Sequence, residues 1–548
     1  MNTATDSHES RPTVRVTVGY GDPPSVARDT QGTAEPDEPH PLERGRKVLQ
    51  TAQAAASEAN VLEVGTTGVH GLEPLVLVTR DGRTAYYPHP STERVRSLVE
   101  RAESGSIGED EPAWVVEHDP DIDALPLPPD GPLAVGTRRI LSRCGWTDPE
   151  RAAPADSGAV AVAREDPNAA LEQLATIGVL GRGRGDASQD TPLADDLEIV
   201  REATDDPVVV VNANESDSRN RTDRTLLGGS PATVLDGALA VAEIVGASSS
   251  DVVVYTNEDD DLIRRRTRRA ATAVAALEAE GSADEGVDDE AAPQVVAGPN
   301  EYIAGEYTMA LEALEGNDRL EARLRPPGPA RHGLYGRPTV VSTPRTFAQV
   351  RAALLEPGEF DPADADPGTR VITVTGDVES PATVELVTGS SLGVARDLFA
   401  GAGRFKMACV GGQFGGFTRS IDQPVSAMAL SNADLGTEGV VELFDQSRCA
   451  VAAAGERVRF ASEENCGRCF PGREGSKQLL HLLRDVYDGT YQDDMIRELA
   501  RVMQSSSLCD VGRSAGRSVD TALEEFETEF KAHAAGRCPS GACEVSRS

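Results

Sequence analysis

The sequence predicts a multidomain α/β protein that closes with a helical bundle. Three observations carry this. The chain has 548 residues, more than one hydrophobic core serves. Short β-branched runs, Val208-Val209-Val210-Val211 and Val252-Val253-Val254-Tyr255, alternate with helix-like stretches near 231–245 and 262–279, the pattern of an α/β core. Beyond residue 476 the apolar positions Leu479, Leu480, Leu483 and Val486, then Met495, Ile496, Leu499, Val502 and Met503, then Leu523, Phe526 and Phe530 recur at helical spacing, which predicts three amphipathic helices packed as a bundle.

Taken in order, residues 1–48 are polar and carry Pro23, Pro24, Pro36, Pro39 and Pro41, so a flexible acidic arm is expected. Residues 49–117 form a small α/β module. In it Val61–Val64 and Leu75–Val78 read as strands, Asp81-Gly82 as a hairpin turn and 91–103 as a helix. A linker follows at 118–165, rich in Asp and Pro near its start. The α/β core spans 166–350 and a β-rich module 351–440. The module's strands run through Val371–Val374 and Thr383–Val387, joined by Gly376 and Pro381. The helical domain is placed at 441–535 and a cysteine-containing tail at 536–548.

Charge excludes some partners. There are 90 Asp and Glu against 53 Lys and Arg, a formal net charge of -37. A surface of that sign repels phosphate backbones and anionic lipid, so nucleic-acid partners and lipid docking are not expected. No apolar run approaches the ~20 residues that span a bilayer, and Met1–Ser10 lacks a signal-peptide core. A cytoplasmic protein without direct membrane insertion is expected. The acidity, spread along the chain and joined to few lysines, suits a high-salt interior.

Cysteines mark the chemistry. Five of the eight, Cys466, Cys469, Cys509, Cys538 and Cys543, lie after residue 465. In a reducing compartment such clustering means metal more often than disulfides. Cys466 and Cys469 precede the first bundle helix, and Cys509 lies in the break before the third. If consecutive helices are antiparallel, these three thiols meet at one end, as an iron–sulfur cluster requires. Cys144, Cys409 and Cys449 have no neighbour at metal spacing and read as small buried apolar side chains.

The stretch Glu464-Asn465-Cys466-Gly467-Arg468-Cys469-Phe470-Pro471-Gly472-Arg473-Glu474-Gly475 resembles the cluster motif Glu-Ser-Cys-Gly-x-Cys-x-Pro-Cys-Arg-x-Gly of the NADH-binding flavoprotein (F) subunit of respiratory complex I and its NAD(P)-reducing hydrogenase relatives. The resemblance assigns a 4Fe-4S cluster to Cys466, Cys469 and Cys509 and puts Gly472 where the family has its third cysteine. Cys538 and Cys543 are candidate substitutes. The likeness extends upstream. Arg325-Pro326-Pro327-Gly328-Pro329 and Gly333-Leu334-Tyr335-Gly336-Arg337-Pro338-Thr339 are similar to family segments, and residues 371–416 resemble its β-grasp (SLBB-like) domain. Gly181-Arg182-Gly183 begins the family's glycine loop for FMN phosphate, from which Asp186–Gln189 then depart. Asn212, Asn214 and Glu215 fall on flavin-contact positions, and Ser342-Thr343 replaces an Asn-Asn pair. Glu306 falls in a segment that contributes to the nicotinamide site, with Tyr307 in place of a second Glu.

Thr67–Val76 resembles a thioredoxin-like 2Fe-2S domain whose ligand positions here carry no cysteine, so a degenerate interaction module is expected. The resemblance therefore implies a divergent, haloarchaeal-type member. Its expected activity is that of an NADH dehydrogenase-type oxidoreductase passing electrons from NAD(H), its substrate, through FMN to a cluster and then to other electron-transfer subunits. The alternative is a non-catalytic paralogue serving as an assembly or electron-relay subunit.

The acidity yields a test. Between about 1 M and 0.1 M salt the Debye length grows from about 3 Å to about 10 Å. Self-repulsion should then lower the melting temperature as salt is withdrawn, and a Tm insensitive to salt would contradict the high-salt expectation.

Overall fold

The computed structural model describes residues 11–19, 41–151, 158–183, 190–280, 292–379, 381–398 and 403–543. Its first sheet is five-stranded, in the order β2-β1-β3-β4-β5. The strands are β1 (Thr13–Thr17), β2 (Asn60–Val64), β3 (Leu75–Arg80), β4 (Arg83–Pro88) and β5 (Trp114–Glu117). β1 runs parallel to β2 and antiparallel to β3. The helices Pro41–Ala55 and Thr92–Glu103 cover one face, burying Val14, Val16, Leu49, Val95 and Leu98. The expected hairpin forms at Asp81-Gly82, both at positive φ, as a two-residue turn with the right-handed strand twist demands. The flexible-arm reading of 1–48 is corrected at 11–19 and 41–48; residues 1–10 and 20–40 lie outside the described residues. Thr13–Thr17 alternates intermediate and buried positions and adds a strand, because a five-residue alternation suffices once two neighbours offer their edges.

The core sheet is fully parallel, in the order β8-β7-β6-β9, from β6 (Val208–Ala213), β7 (Val252–Asn257), β8 (Gln294–Gly298) and β9 (Thr339–Ser342). Every residue of β6 and β7 is buried, which explains their unbroken β-branched composition. Helix Pro231–Val245 packs on helix Pro344–Leu355 at close range. A Cβ on Gly237 would lie 1.9 Å from the Phe347 carbonyl oxygen, so only glycine permits this crossing. Among the described residues no single helix is long and apolar enough to cross a membrane; Thr222–Gly229 and Pro231–Val245 pass such a test only as a pair bent by 99°.

The third sheet, β11-β10-β14-β12-β13, comprises β10 (Thr369–Gly376), β11 (Ala382–Val387), β12 (Phe405–Val410), β13 (Gly416–Thr418) and β14 (Val440–Asp445). β14 runs parallel to β10 and antiparallel to β12, so this module extends past the expected boundary at 440. At its other end, helix Pro344–Leu355 continues to Leu355 within the core cluster, and the sheet itself begins only at Thr369. The segment 118–165 is likewise no tether. Its Leu125, Leu133 and Trp146 are buried between the first and third sheets. The buried carboxylate of Glu385 accepts hydrogen bonds from the backbone of Ile140 (3.0 Å) and Leu141 (3.1 Å) and from Thr369 Oγ1 (2.6 Å). Aspartates and prolines made this segment look solvated, but a buried acceptor satisfies its backbone.

The bundle contains the three expected helices, Ser476–Tyr487, Asp493–Ser506 and Arg517–Ala534, and a fourth, Ala450–Glu463, ahead of them. The fourth is rich in alanine, so its apolar stripe is shallow in the sequence. A short helix, Asp510–Ser514, follows Cys509.

Gly237→Ala should destabilise the protein by about 1–3 kcal/mol through overpacking, against a helix-propensity gain below about 1 kcal/mol. Chemical denaturation at fixed salt measures this; an unchanged or more stable variant would refute the close crossing.

Candidate functional site

Parallel strands in an open sheet present their carboxyl ends as the usual binding edge. β6 ends at Asn212 and Ala213, β7 at Thr256 and Asn257, and β9 at Ser342. Four of the segments singled out in the sequence meet there. Asn212 Nδ2 donates to the Gly305 carbonyl (2.9 Å), next to Glu306. Thr343 Oγ1 donates to the Arg182 carbonyl. Gly181 and Ser342 line one cleft of about 410 Å³ with Tyr307, Arg325 and Arg513, a volume in the range of small-ligand sites.

Several polar side chains at this edge already hold backbone. Glu215 accepts from the amides of Asp223 (3.1 Å) and Arg224 (3.0 Å) and from Thr222 Oγ1 (2.8 Å), so it caps helix Thr222–Gly229 as a carboxylate at a helix N-terminus does. Glu306 likewise caps helix Tyr307–Leu314, accepting from the amides of Thr308 and Met309 at 2.9 Å each. Asn214 donates to Tyr255 (3.1 Å) and the Pro299 carbonyl (3.0 Å) and accepts from Asn257 (3.0 Å).

Arg182 is buried and ion-paired to Asp366 at 2.7 Å, and it donates to the carbonyls of Pro367 and Thr369. Burial opposes charge on Asp366, yet Arg182 and Arg370 hold its carboxyl below the usual range. Arg182 thus fixes the loop rather than offering its guanidinium to the cleft. Gly183 stands at φ +136, where a Cβ would meet Thr343 Cγ2 at 2.5 Å. Arg184–Gln189, the rest of the expected glycine loop, lie outside the described residues.

Asn212 Oδ1 is buried and has no hydrogen-bond partner among the described residues. A buried orphan acceptor is costly unless a ligand donor meets it. The cleft and this atom fit a flavin bound at the carboxyl edge. Arg325, placed by the sequence in a family-like segment without a role, donates to Tyr307 and to the Leu508 carbonyl (3.3 Å) and pairs with Asp510 at 3.5 Å. It bridges the cleft to the residues on either side of Cys509.

The bundle brings Cys466 and Cys509 together as expected of antiparallel helices. The interaction of their thiols holds Cys466 well below the ordinary thiol range and pushes Cys509 above it. Cys469 lies beside Gly472, where an added Cβ would be 3.1 Å from its sulfur. Three thiols at one end of the bundle fit a cluster, whose ligands must be deprotonated sulfur.

A second constellation corrects the reading of Cys449 as a packing residue. Cys449, His533, Cys538 and Cys543 place one ligand atom each within 4.8 Å of one another, with Cys449 Sγ 3.4 Å from His533 Nε2. Cys538 and Cys543 therefore gather here and are not the missing ligand of the first site. His533 Nδ1 is bonded to the Glu529 carbonyl at 2.7 Å, which leaves Nε2 facing the sulfurs, the outer-shell arrangement of metal-bound imidazole. The signal was hidden because Cys449 and His533 are 84 residues apart.

Known proteins share this layout. Residues 175–352 match the Nuo51 FMN-binding domain, and residues 452–533 match the NADH-ubiquinone oxidoreductase-F iron-sulfur binding region. The chain is 30% identical over 373 residues to the F subunit of the NADH-quinone oxidoreductase of Streptomyces coelicolor, covering 65% of this chain and 82% of that one. It is 27% identical over 426 residues to a subunit of the NADP-reducing hydrogenase of Solidesulfovibrio fructosivorans, covering 74% and 85%. Its fold is that of a chain in the crystal structure of an NAD+-reducing [NiFe]-hydrogenase in the H2-reduced state, with a TM-score of 0.62, 23% identity and coverage of 96% and 85%. With a flavin-type edge, a thiol-bearing bundle end and this degree of identity, the chain belongs to the family of the NADH-quinone oxidoreductase F subunits.

Proposed function

We propose that the chain is an NADH-oxidising flavoprotein subunit that delivers electrons through the cysteine end of its bundle to partner subunits. The observation that carries this is the contact between its two sites: Arg325 lines the flavin-type cleft and bonds the residues flanking Cys509. Bound FMN supplies the exchange between hydride and single electrons, and a bound cluster is a one-electron carrier.

The chain's own residues do the rest. Asn212 Oδ1 offers a buried acceptor to a flavin N–H, and Gly181, Gly183, Ser342 and Thr343 let backbone and hydroxyls come close to the cofactor. Glu215 and Glu306 hold two helix N-termini still at this edge, their carboxylates satisfying the first-turn amides. Cys466, Cys469 and Cys509 hold the cluster. Cys449, His533, Cys538 and Cys543 form a closed set of three sulfurs and one nitrogen around a point, the donor set of structural zinc rather than of a multi-iron cluster. The N-terminal module, without a cysteine before Cys144, serves as a docking or structural domain of thioredoxin type. The acidic surface suits a high-salt cytoplasm.

Two measurements test this. Heat-released flavin from anaerobically reconstituted protein should approach one FMN per chain. Asn212→Leu should weaken FMN by about 5–30-fold, the equivalent of about 1–2 kcal/mol for one buried hydrogen bond. A folded wild type that takes up no FMN would leave the assembly-subunit reading in its place. Separately, elemental analysis should find one zinc per chain, lost in Cys543→Ser with the iron content unchanged; zinc absent from the wild type would refute the second site.

A further inference from the structure

The cluster site has three thiols, and Gly472 stands at the place of a fourth. The surroundings of that glycine contain an unused ligand. Of the run Ser505-Ser506-Ser507, the first two are exposed, whereas Ser507 is 3% exposed. Its Oγ is buried and has no hydrogen-bond partner among the described residues. Ser476, also buried nearby, differs: its Oγ donates to the Gly472 carbonyl at 2.7 Å. A buried hydroxyl without a partner in a native site calls for an explanation.

Ser507 packs directly on a pair of glycines that sit beside Cys469. A Cβ on Gly512 would lie 2.8 Å from Ser507 Oγ and 3.5 Å from Gly472 Cα. A Cβ on Gly472 would lie 3.1 Å from Cys469 Sγ and 3.9 Å from Gly512 Cα. Ser507 therefore packs on Gly512, Gly512 on Gly472, and Gly472 on the Cys469 sulfur, which puts the hydroxyl in the neighbourhood of the cluster cysteines. The backbone there is fixed. Ser507 N donates to the Met503 carbonyl (3.1 Å), and the Ser507 carbonyl accepts from Arg513 Nε (3.1 Å). Ser507 also lies two residues before Cys509, on the same turn that delivers a cysteine ligand.

We propose that Ser507 is the fourth ligand, so that the cluster is bound by Cys466, Cys469, Cys509 and the Ser507 oxygen. This rests on the reading of the site as an iron–sulfur centre. On binding, the Oγ–H bond breaks, its proton passes to solvent and an iron–oxygen bond forms. An oxygen donor suits iron when it is rich in ferric character, and it leaves three soft sulfur ligands in place.

The test uses full-length protein reconstituted anaerobically, with folding of each variant checked by thermal melts. Ferricyanide and a chelator are then added in small excess. Where one iron lacks a protein ligand, ferricyanide takes one electron from the [4Fe-4S]2+ core, Fe2+ leaves to the chelator, and a [3Fe-4S]+ core remains with its characteristic S = 1/2 signal. Wild type and Ser507→Thr, which keeps the oxygen, should retain four irons. Ser507→Ala should lose one and give the signal. The double variant Gly472→Cys with Ser507→Ala should regain the fourth iron, which shows that the loss in Ser507→Ala comes from the missing ligand and not from misfolding. The proposal is overturned if Ser507→Ala retains four irons like the wild type, or if the wild type itself gives the three-iron signal. A folded wild type that takes up no iron at all overturns the iron–sulfur reading, and this proposal with it.

Discussion

The arrangement depends on keeping the cysteine end of the helical bundle against the carboxyl edge of the parallel sheet. That seam is made by the segment between helix Tyr307–Leu314 and β9. Arg325 reaches from it to Tyr307, to the Leu508 carbonyl and to Asp510. From the bundle, Arg468 reaches back to the Ala322 carbonyl at 2.7 Å. Tyr302 then meets Phe414 and Phe460 edge-on at 5.2 and 5.1 Å, and the two phenylalanines lie tilted at 5.9 Å, where the core, the third sheet and the bundle join. Charge-assisted bonds to backbone carbonyls fix orientation better than apolar contact does, so the seam sets the approach of the two sites.

The same chemistry ties the domains elsewhere. Arg345 pairs with Asp223 at 3.0 Å and donates to the Glu438 carbonyl, joining the core to the third sheet. Arg370 bridges Asp366 and Asp190 at 2.9 and 2.7 Å. The Arg345–Asp223 and Arg370–Asp366 pairs are buried, so salt screens them little, whereas the excess acid that gives the net charge of -37 is on the surface and responds to ionic strength. Arginine is suited to the buried role because its planar fork satisfies several acceptors at once. Arg182 is the clearest instance, spent on Asp366 and the carbonyls of Pro367 and Thr369 rather than on the cleft.

Much of this was legible in the sequence where a local signal sufficed. The valine runs of β6 and β7 are long enough to be buried on both faces. Asp81-Gly82 allows few backbones other than a tight hairpin. The spacing from Leu479 to Phe530 gives three helices and, through antiparallel packing, the meeting of Cys466 with Cys509. What was missed depends on distant partners. β1 is a strand because β2 and β3 flank it, and the segment around Ile140 and Leu141 is held in place because Glu385 accepts its amides. Cys449 and His533 come within ligand distance of one another only after the chain between them folds. The capping roles of Glu215 and Glu306 were likewise invisible, since a carboxylate that holds a helix and one that touches a ligand share one motif position.

The central claim is that hydride entry at the sheet edge is coupled to electron exit at the bundle end. The most direct test adds NADH anaerobically to fully reconstituted protein and follows the flavin absorbance and then the low-temperature EPR spectrum. The account predicts bleaching of the flavin band followed by the signal of a reduced cluster. Protein loaded with both FMN and iron that shows neither bleaching nor a cluster signal would contradict it.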